Sequence, residues 1–564
     1  MKKITYIFAT IIALLCVCSC DEDSWLKEKP LEFNTPENSY QTTAQFGQAL
    51  NYLYDGVRRF YWSLGDQGAA MHLGDQAYGG TDYAPHMKFN DFNSFITANT
   101  YVPGHFWNWG YNAIANANII LNRIQMENEV SEERKKEVEG EALFFRAFYY
   151  RLLANLFGGV PIELEEVTEP KRDYVRASRA EVYDQARADL EKAASLLPDV
   201  DKAKAGAINK QAAQHLLAEI YISLNDYSKA IEAASAVINH PSMGLMTTRF
   251  GSRANEEGDP YWDLFQLDNQ NRSSGNTETI LAMQYEYQNS GSAYSTEMLR
   301  WLLPFYSGAR AEATAGGETN AFVTFTAEKG GRGIGVIHPS HYFCYDLWGQ
   351  DFDNDYRNSS YMIVRDMKID NPKAKGFGEW IIKDGWLLDK DTVRNVYPLV
   401  MKFSRVGYFP EESYAKNADG SLQTTELGEH PLINSNNSCN YSFKDEYLFR
   451  LAGTYLLRAE AYLGNNQKDK AAEDINAVRK RSNASPVEAS VIDIDFILDE
   501  MMRELYFEDF RVQTLCRLGK LVERGRKYNP CGDNIGDHQN LFPIPYSEIE
   551  RNIFNVLEQN PGYN

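Results

Sequence analysis

The chain has 564 residues, with 78 Asp and Glu against 57 Lys and Arg, for a formal charge of −21. So acidic a surface repels phosphate backbones and argues against a nucleic-acid partner. With 43% hydrophobic and 24% charged residues, and no long apolar run beyond the N-terminus, the composition is that of a large folded body, either several domains or one body with insertions.

The N-terminus reads as a targeting segment. Lys2 and Lys3 precede an apolar run from Ile4 to Val17 that is short for a membrane span. Residues 1–19 are therefore assigned to a signal peptide. Val17-Cys18-Ser19-Cys20 resembles a lipoprotein processing box, with Cys20 becoming the lipidated N-terminus. The alternative is an ordinary signal peptide with incidental cysteines. The acidic Asp21-Glu22-Asp23 that follows resembles a surface-export signal. Of the remaining cysteines, Cys344, Cys439, Cys516 and Cys531, none has C-x-x-C spacing. Buried free thiols are expected, and pairing between them stays open.

Residues 20–40 form a lead-in punctuated by Pro30 and Pro36, and residues 41–240 a helical part. Phe46, Leu50, Leu53, Tyr54 and Val57 mark an amphipathic helix over 42–61. Residues 65–104 break that pattern with Gly, Asp, Asn and aromatics, a length that suits a functional loop. A second helix resumes over 106–124, where Trp107 and Trp109 are expected to pack inward. Ser131 is placed to cap a third, which runs through Leu143, Ala147, Tyr150 and Ala154 to a stop at Gly158-Gly159-Val160-Pro161. Ser178-Arg179-Ala180-Glu181 is a capping box opening a helix to Leu197. Residues 208–239 then read as a helix–turn–helix with Ala218, Tyr221 and Ala230. Residues 447–481 repeat that spacing with Ala459, Tyr462 and Ala471. Small residues where paired helices touch, with a tyrosine beside them, are a tetratricopeptide-like device. Between the two units, 241–445 is rich in Gly, Asn, Ser, Asp and Tyr, and reads as a loop-rich insertion with short strands. The C-terminal part, 446–564, returns to helices, one of them expected over Glu500–Arg511.

Several of these segments carry a resemblance. Glu141-Ala142, Arg146-Ala147, Tyr149-Tyr150 and Phe157–Pro161, the late Arg503-Glu504 and Phe507-Glu508 helix, Leu541–Pro545, and the closing Asn560-Pro561-Gly562-Tyr563 resemble the SusD/RagB family of nutrient-binding lipoproteins. The chain departs from the pattern at Val512 and Thr514. The resemblance implies a mostly α-helical SusD-like fold, with tetratricopeptide-like helix pairs and a large irregular insertion. It implies an outer-membrane lipoprotein facing the cell exterior that binds a nutrient oligomer, an oligo- or polysaccharide. It also implies a SusC-like TonB-dependent transporter as the partner that receives it. A peptide ligand, as in the RagB branch, is the nearest alternative; a secreted glycoside hydrolase and a ligand-free lid are the others.

No catalytic motif is present: G-x-S-x-G, H-E-x-x-H and G-x-x-x-x-G-K are all absent. No turnover and no cofactor are expected. His338 and His341 could be metal ligands, but Pro339 breaks their helical spacing, and a turn with solvated histidines is the preferred reading. Asp351, Asp353 and Asp355 alternate as in a calcium loop without its downstream Gly and Glu. A solvated acidic turn is preferred there, and a structural calcium ion is left open. Aromatics make up 13% of the chain, and sugar rings offer C–H faces that stack on them. The candidate ligand residues are Asp75, Tyr78, Asp82 and Tyr83 in the first loop and Trp301, Tyr306, Trp348 and Arg357 in the insertion. An ordinary core role is open for each.

Overall fold

The computed structural model describes residues 39–62, 68, 70–80, 90–287, 297–388, 394–403, 409–433 and 439–563. Among the described residues, four long helices precede residue 200: α1 Thr43–Trp62, α2 Tyr101–Ile124, α3 Glu132–Phe157 and α4 Arg179–Leu196. The α3 helix packs against both α2 and α4, and from Gly140 to Phe157 every residue is buried. Its charges survive burial because each finds a partner. The Arg146 guanidinium donates to both oxygens of Asp189 on α4 at 2.7 Å and to Asn118 on α2 at 2.9 Å. Ser131 caps the start, accepting from Arg134 N. Gly158 ends the helix at φ 76°. A Cβ on Gly159 would lie 2.2 Å from the Ala177 carbonyl oxygen, so only glycine lets the chain turn there. The expected capping box at Ser178 and Glu181 is formed.

The two helix pairs are α5 Lys210–Ser223 with α6 Tyr227–Ile238, and α7 Leu451–Gly464 with α8 Lys468–Arg481. Their turns match: Asn225 and Asn466 sit at φ 61° and 56°. Asp226 N and Gln467 N each donate at 2.8 Å to a carbonyl five residues back, that of Tyr221 or Tyr462. Asparagine tolerates this left-handed geometry better than most residues. Ala218, Ala230, Ala459 and Ala471 are wholly buried. Although more than two hundred residues separate them, the pairs stack, with α6 against α7. At that seam a Cβ on Gly464 would meet the Tyr227 ring at 2.3 Å.

Among the described residues, eight short strands form four antiparallel two-stranded ribbons: β1 Ala77–Gly79 with β5 Ile337–Pro339, β2 Thr279–Met283 with β8 Glu446–Arg450, β3 Arg310–Glu312 with β4 Glu318–Asn320, and β6 Ile363–Val364 with β7 Leu399–Val400. The β2–β8 ribbon explains how so long an insertion is tolerated. The chain leaves and returns through neighbouring strands, so the helical frame continues directly into α7.

The late helix differs from its expected extent. Helix α9 is Ile494–Leu505, and α10 begins at Arg511 and ends at Arg517. Phe507, at φ 60°, breaks the run between them. The charges of α9 point into a buried ionic lattice. Glu504 accepts from Arg450, Arg481 and Arg357. Glu500 accepts from Arg357 at 2.7 Å, Arg479 at 2.9 Å and Arg503 at 2.8 Å. Glu508 holds Arg450 at 2.6 Å and the Lys402 ammonium at 2.7 Å. The lattice therefore joins the insertion, through Arg357 and Lys402, to the C-terminal helices. Among the described residues no helix is long and apolar enough to cross a membrane. Cys344, Cys439 and Cys516 are buried free thiols, and Cys531 is half-buried and free.

Candidate ligand-binding site

The first loop and the insertion meet at the β1–β5 ribbon, where Tyr78 pairs with His338 across the strands. Both are half-buried. The Tyr78 ring stacks on the His338 imidazole with centroids 4.6 Å apart and planes at 24°. His338 in turn lies 4.1 Å from the buried ring of Tyr397, whose hydroxyl donates to the Leu302 carbonyl at 3.1 Å. Gly80 continues the ribbon through Gly80 N to the Val336 carbonyl. A Cβ at Gly80 would lie 2.5 Å from that of His338. Burial pushes the Tyr78 phenol up to about 12, so it is a neutral hydrogen-bonding group and an aromatic face. Tyr78, His338 and Tyr397 thus form a rigid aromatic strip with its Tyr78 end reaching the surface. Such a strip offers an aromatic face on which a ring could stack.

Most of the other candidate residues are placed elsewhere, and their assignment as ligand contacts is corrected. Asp75 is fully buried and accepts from Arg511 at 2.8 and 2.6 Å and from Arg524 at 2.6 Å. Burial raises its pKa, but those two guanidiniums outweigh it and bring the carboxyl to about 2. Arg357 is 0% exposed and fully engaged by Asp355, Glu500 and Glu504; a guanidinium at that depth must be paired, and its partners leave no donor for a ligand. Trp348 is buried and donates from Nε1 to the Phe343 carbonyl at 2.8 Å. Trp301 is buried in a short helix, Met298–Leu302. Tyr306 is buried and donates to the Gly331 carbonyl. These large aromatics fill the insertion's own core, which lacks long elements to supply one. Cys20, Asp82 and Tyr83 lie outside the described residues.

His338 is the residue that sequence reasoning placed in the wrong setting: a histidine in a His-Pro-Ser-His run signals a metal or a turn, not a stacking partner. His341 does face solvent, 3.1 Å from Asp346. The acidic turn is only partly solvated: Asp353 is exposed, but Asp351 is held by Arg479 at 2.5 Å and Asp355 by Arg357 at 2.7 Å.

Comparison with known proteins bears on what this scaffold is. The profile of the SusD family matches residues 277–563, and a second profile, described as starch-binding associating with outer membrane, matches 32–222. The chain belongs to the SusD family. Among its relatives, a SusD-like protein of Formosa agariphila is 26% identical over 587 residues, covering 100% of both chains. The starch-binding protein SusD of Bacteroides thetaiotaomicron is 37% identical over 130 residues, 22% of each chain. A SusD superfamily protein from Bacteroides vulgatus superposes with a TM-score of 0.66 at 20% identity, over 93% of this chain and 100% of that one. A laminarin-binding SusD-like protein gives 0.63 at 21% identity, over 93% and 100%. At such identities the solved structures speak to the fold, which is the mostly helical SusD fold expected from the sequence. The family is one of binding proteins that includes glycan binders and is associated with the outer membrane.

Proposed function

We propose that this protein is a cell-surface glycan-binding lipoprotein that captures an oligosaccharide without turning it over and passes it to a SusC-like TonB-dependent transporter. The observation that carries the binding reading is the stacked Tyr78–His338 pair, held by the β1–β5 ribbon with both side chains half-buried. A pyranose ring laid on Tyr78 gains stacking that is worth about 1 kcal/mol beyond burial. Tyr78→Ala is expected to weaken glycan affinity about tenfold or more with an unchanged melting temperature. A glycan and peptide binding screen on the soluble form lacking residues 1–20, followed by calorimetry on the variant, checks this. Wild-type-like glycan affinity in the variant rules out the strip as the site, and binding of peptides alone replaces the glycan with the peptide ligand.

The transporter reading is supported by a surface away from that strip. Segments 171–176 and 552–560 lie side by side: Phe554 N donates to the Arg172 carbonyl at 3.0 Å, and Asn552 bonds Tyr174 N and O. There Val175, Ile553, Phe554 and Val556 are 67%, 60%, 73% and 82% exposed. Beside them opens a pocket of about 320 Å³ walled by Trp107, Tyr111, Val167, Tyr174 and Leu557. Clustered exposed apolar side chains next to an aromatic pocket are the anatomy of a protein-binding hot spot. Mild-detergent extraction and pull-down on the full chain should recover a β-barrel protein, and Phe554→Glu should lower that recovery about tenfold or more, as loss of a buried anchor does. A wild-type chain that elutes alone sinks the transporter reading.

Anchoring rests on Cys20, since its thiol is the group that the processing box would lipidate. Cys20→Ala is expected to move the protein from the membrane fraction to the soluble one. Continued fatty-acid labelling of that variant would shift the assignment to Cys18.

A further inference from the structure

A groove of about 1010 Å³ lies between α1, the start of α3 and the loop over 197–208. Tyr78 is not among its lining residues, and the function proposed above does not use it. Helix α1 lines it with Gln48, Asn51, Tyr52, Asp55 and Arg58, spaced three and four apart and so sharing one face. An outward polar face needs no ligand to explain it. Three features here go beyond that.

The first is the state of the charges. Each acid in the groove already has a cationic partner within the protein. Asp55 accepts from Arg58 at 2.9 Å and Arg59 at 2.5 Å. Glu137 and Glu141 share Arg134, at 2.7 and 2.9 Å, and Glu141 also accepts from the Tyr54 hydroxyl at 2.8 Å. On the facing wall Lys202 and Lys204 have no carboxylate within 4 Å among the described residues. Asp199, the acid that senses Lys202, is itself held by Gln211 at 3.1 Å and lies 3.9 Å from Lys210; Asp201 lines the adjoining cleft instead. The groove therefore presents two spare cations on a chain of formal charge −21.

The second is an unused donor. Arg58 gives Nη1 to the Gln284 carbonyl at 3.1 Å and Nη2 to Asp55. Its Nε is buried without a hydrogen-bond partner among the described residues. Buried donors without partners are rare and call for an explanation. The third is a platform. Tyr52 stands 52% exposed on the groove wall among amides. The wall opposite is held close: Gly206, at φ 76°, would place a Cβ 2.4 Å from Gln284 Cγ.

We propose that this groove is a second carbohydrate site, selective for an anionic oligosaccharide such as a uronate or sulfated glycan. Lys202 and Lys204 meet its carboxylates or sulfates. The Gln48 and Asn51 amides meet its hydroxyls, and Tyr52 stacks on a ring. The volume is at the upper end of the roughly 300–1,000 Å³ usual for ligand pockets, enough for several sugar units. This rests on the glycan-binding reading and deepens it by naming a charge class.

The test is calorimetry on the full chain in mild detergent with two probes, oligogalacturonate and neutral laminarin oligosaccharides. Oligogalacturonate should bind, more weakly at about 0.3 M salt than at about 0.05 M. The exposed double variant Lys202→Gln/Lys204→Gln should keep its melting temperature and lose roughly two- to thirtyfold in oligogalacturonate affinity, the scale of two solvent-facing ion pairs. Binding of laminarin alone, or oligogalacturonate affinity that ignores the two lysines, overturns the anionic site and leaves the Tyr78 reading standing. A wild-type chain silent towards both probes overturns the glycan reading and this site with it.

Discussion

Glu504→Gln is expected to lower the stability of the folded protein by about 3–5 kcal/mol, because it removes the shared acceptor of three buried guanidiniums. Arg450, Arg481 and Arg357 all donate to this carboxylate, and all four side chains are 0–1% exposed. Glutamine keeps the volume and one carbonyl acceptor, so cavity formation contributes little; the loss is the charge. Glu278 partly compensates, lying 2.7 Å from Arg481 and 3.5 Å from Arg450, which sets the change below that of emptying the site. Urea midpoints of wild type and variant measure it. A difference under about 1 kcal/mol would mean that the remaining acids can re-pair all three arginines and that the lattice is redundant.

The helical frame was legible because its signals are local. Ser131, the Ser178–Glu181 box, the Gly158-Gly159 stop and the twofold Ala–Tyr–Ala spacing each depend on residues within about one or two turns. The lattice was not legible, because Arg357 meets Glu500 and Glu504 about 145 positions along the chain, and a lone arginine in a polar loop reads the same whether it faces a ligand or a buried acid. The same reason hid the aromatic strip: Tyr78 looked like a loop aromatic, and the strand that fixes it arrives with His338, after 259 intervening residues. The end of α9 was misplaced for a different reason. Interleaved charges continue past Leu505, but they serve the lattice, and the backbone breaks at Phe507, a residue with no intrinsic preference for φ 60°. In the insertion, tryptophans and tyrosines were read as platforms when a region of short ribbons needs them as core.

The lattice and its relatives also fix how the fold should respond to acid. Burial opposes ionisation of Asp75, Glu219 and Glu500, but their arginine partners outweigh it and hold each at about 2; Arg481, Arg450 and Arg357 hold Glu504 low in the same way. A carboxyl whose folded pKa is depressed gives its full stabilisation above its unfolded value, near 4. It loses that stabilisation as the pH falls towards the folded value, because the unfolded chain takes up protons first. At about 1.4 kcal/mol per unit, each such group contributes roughly 2–3 kcal/mol. Four of them together approach the ~5–15 kcal/mol that holds a typical protein folded. Asp259 works in the opposite sense: burial raises it to about 6, so its cost grows as the pH rises from about 4 towards 6. Burial moves Glu446 the same way, up to about 7, but it lowers His72 and His215 to about 3, so the unfolded chain also takes up their protons first once the pH falls below about 6.5. Stability should therefore decline as the pH drops below about 6 and collapse between about pH 4 and 2. Urea midpoints taken across about pH 2 to 7 test this. A midpoint that stays level down to pH 2 would show that these buried carboxylates are not held ionised by their arginines, and the charged lattice would have to be replaced by a protonated, neutral one.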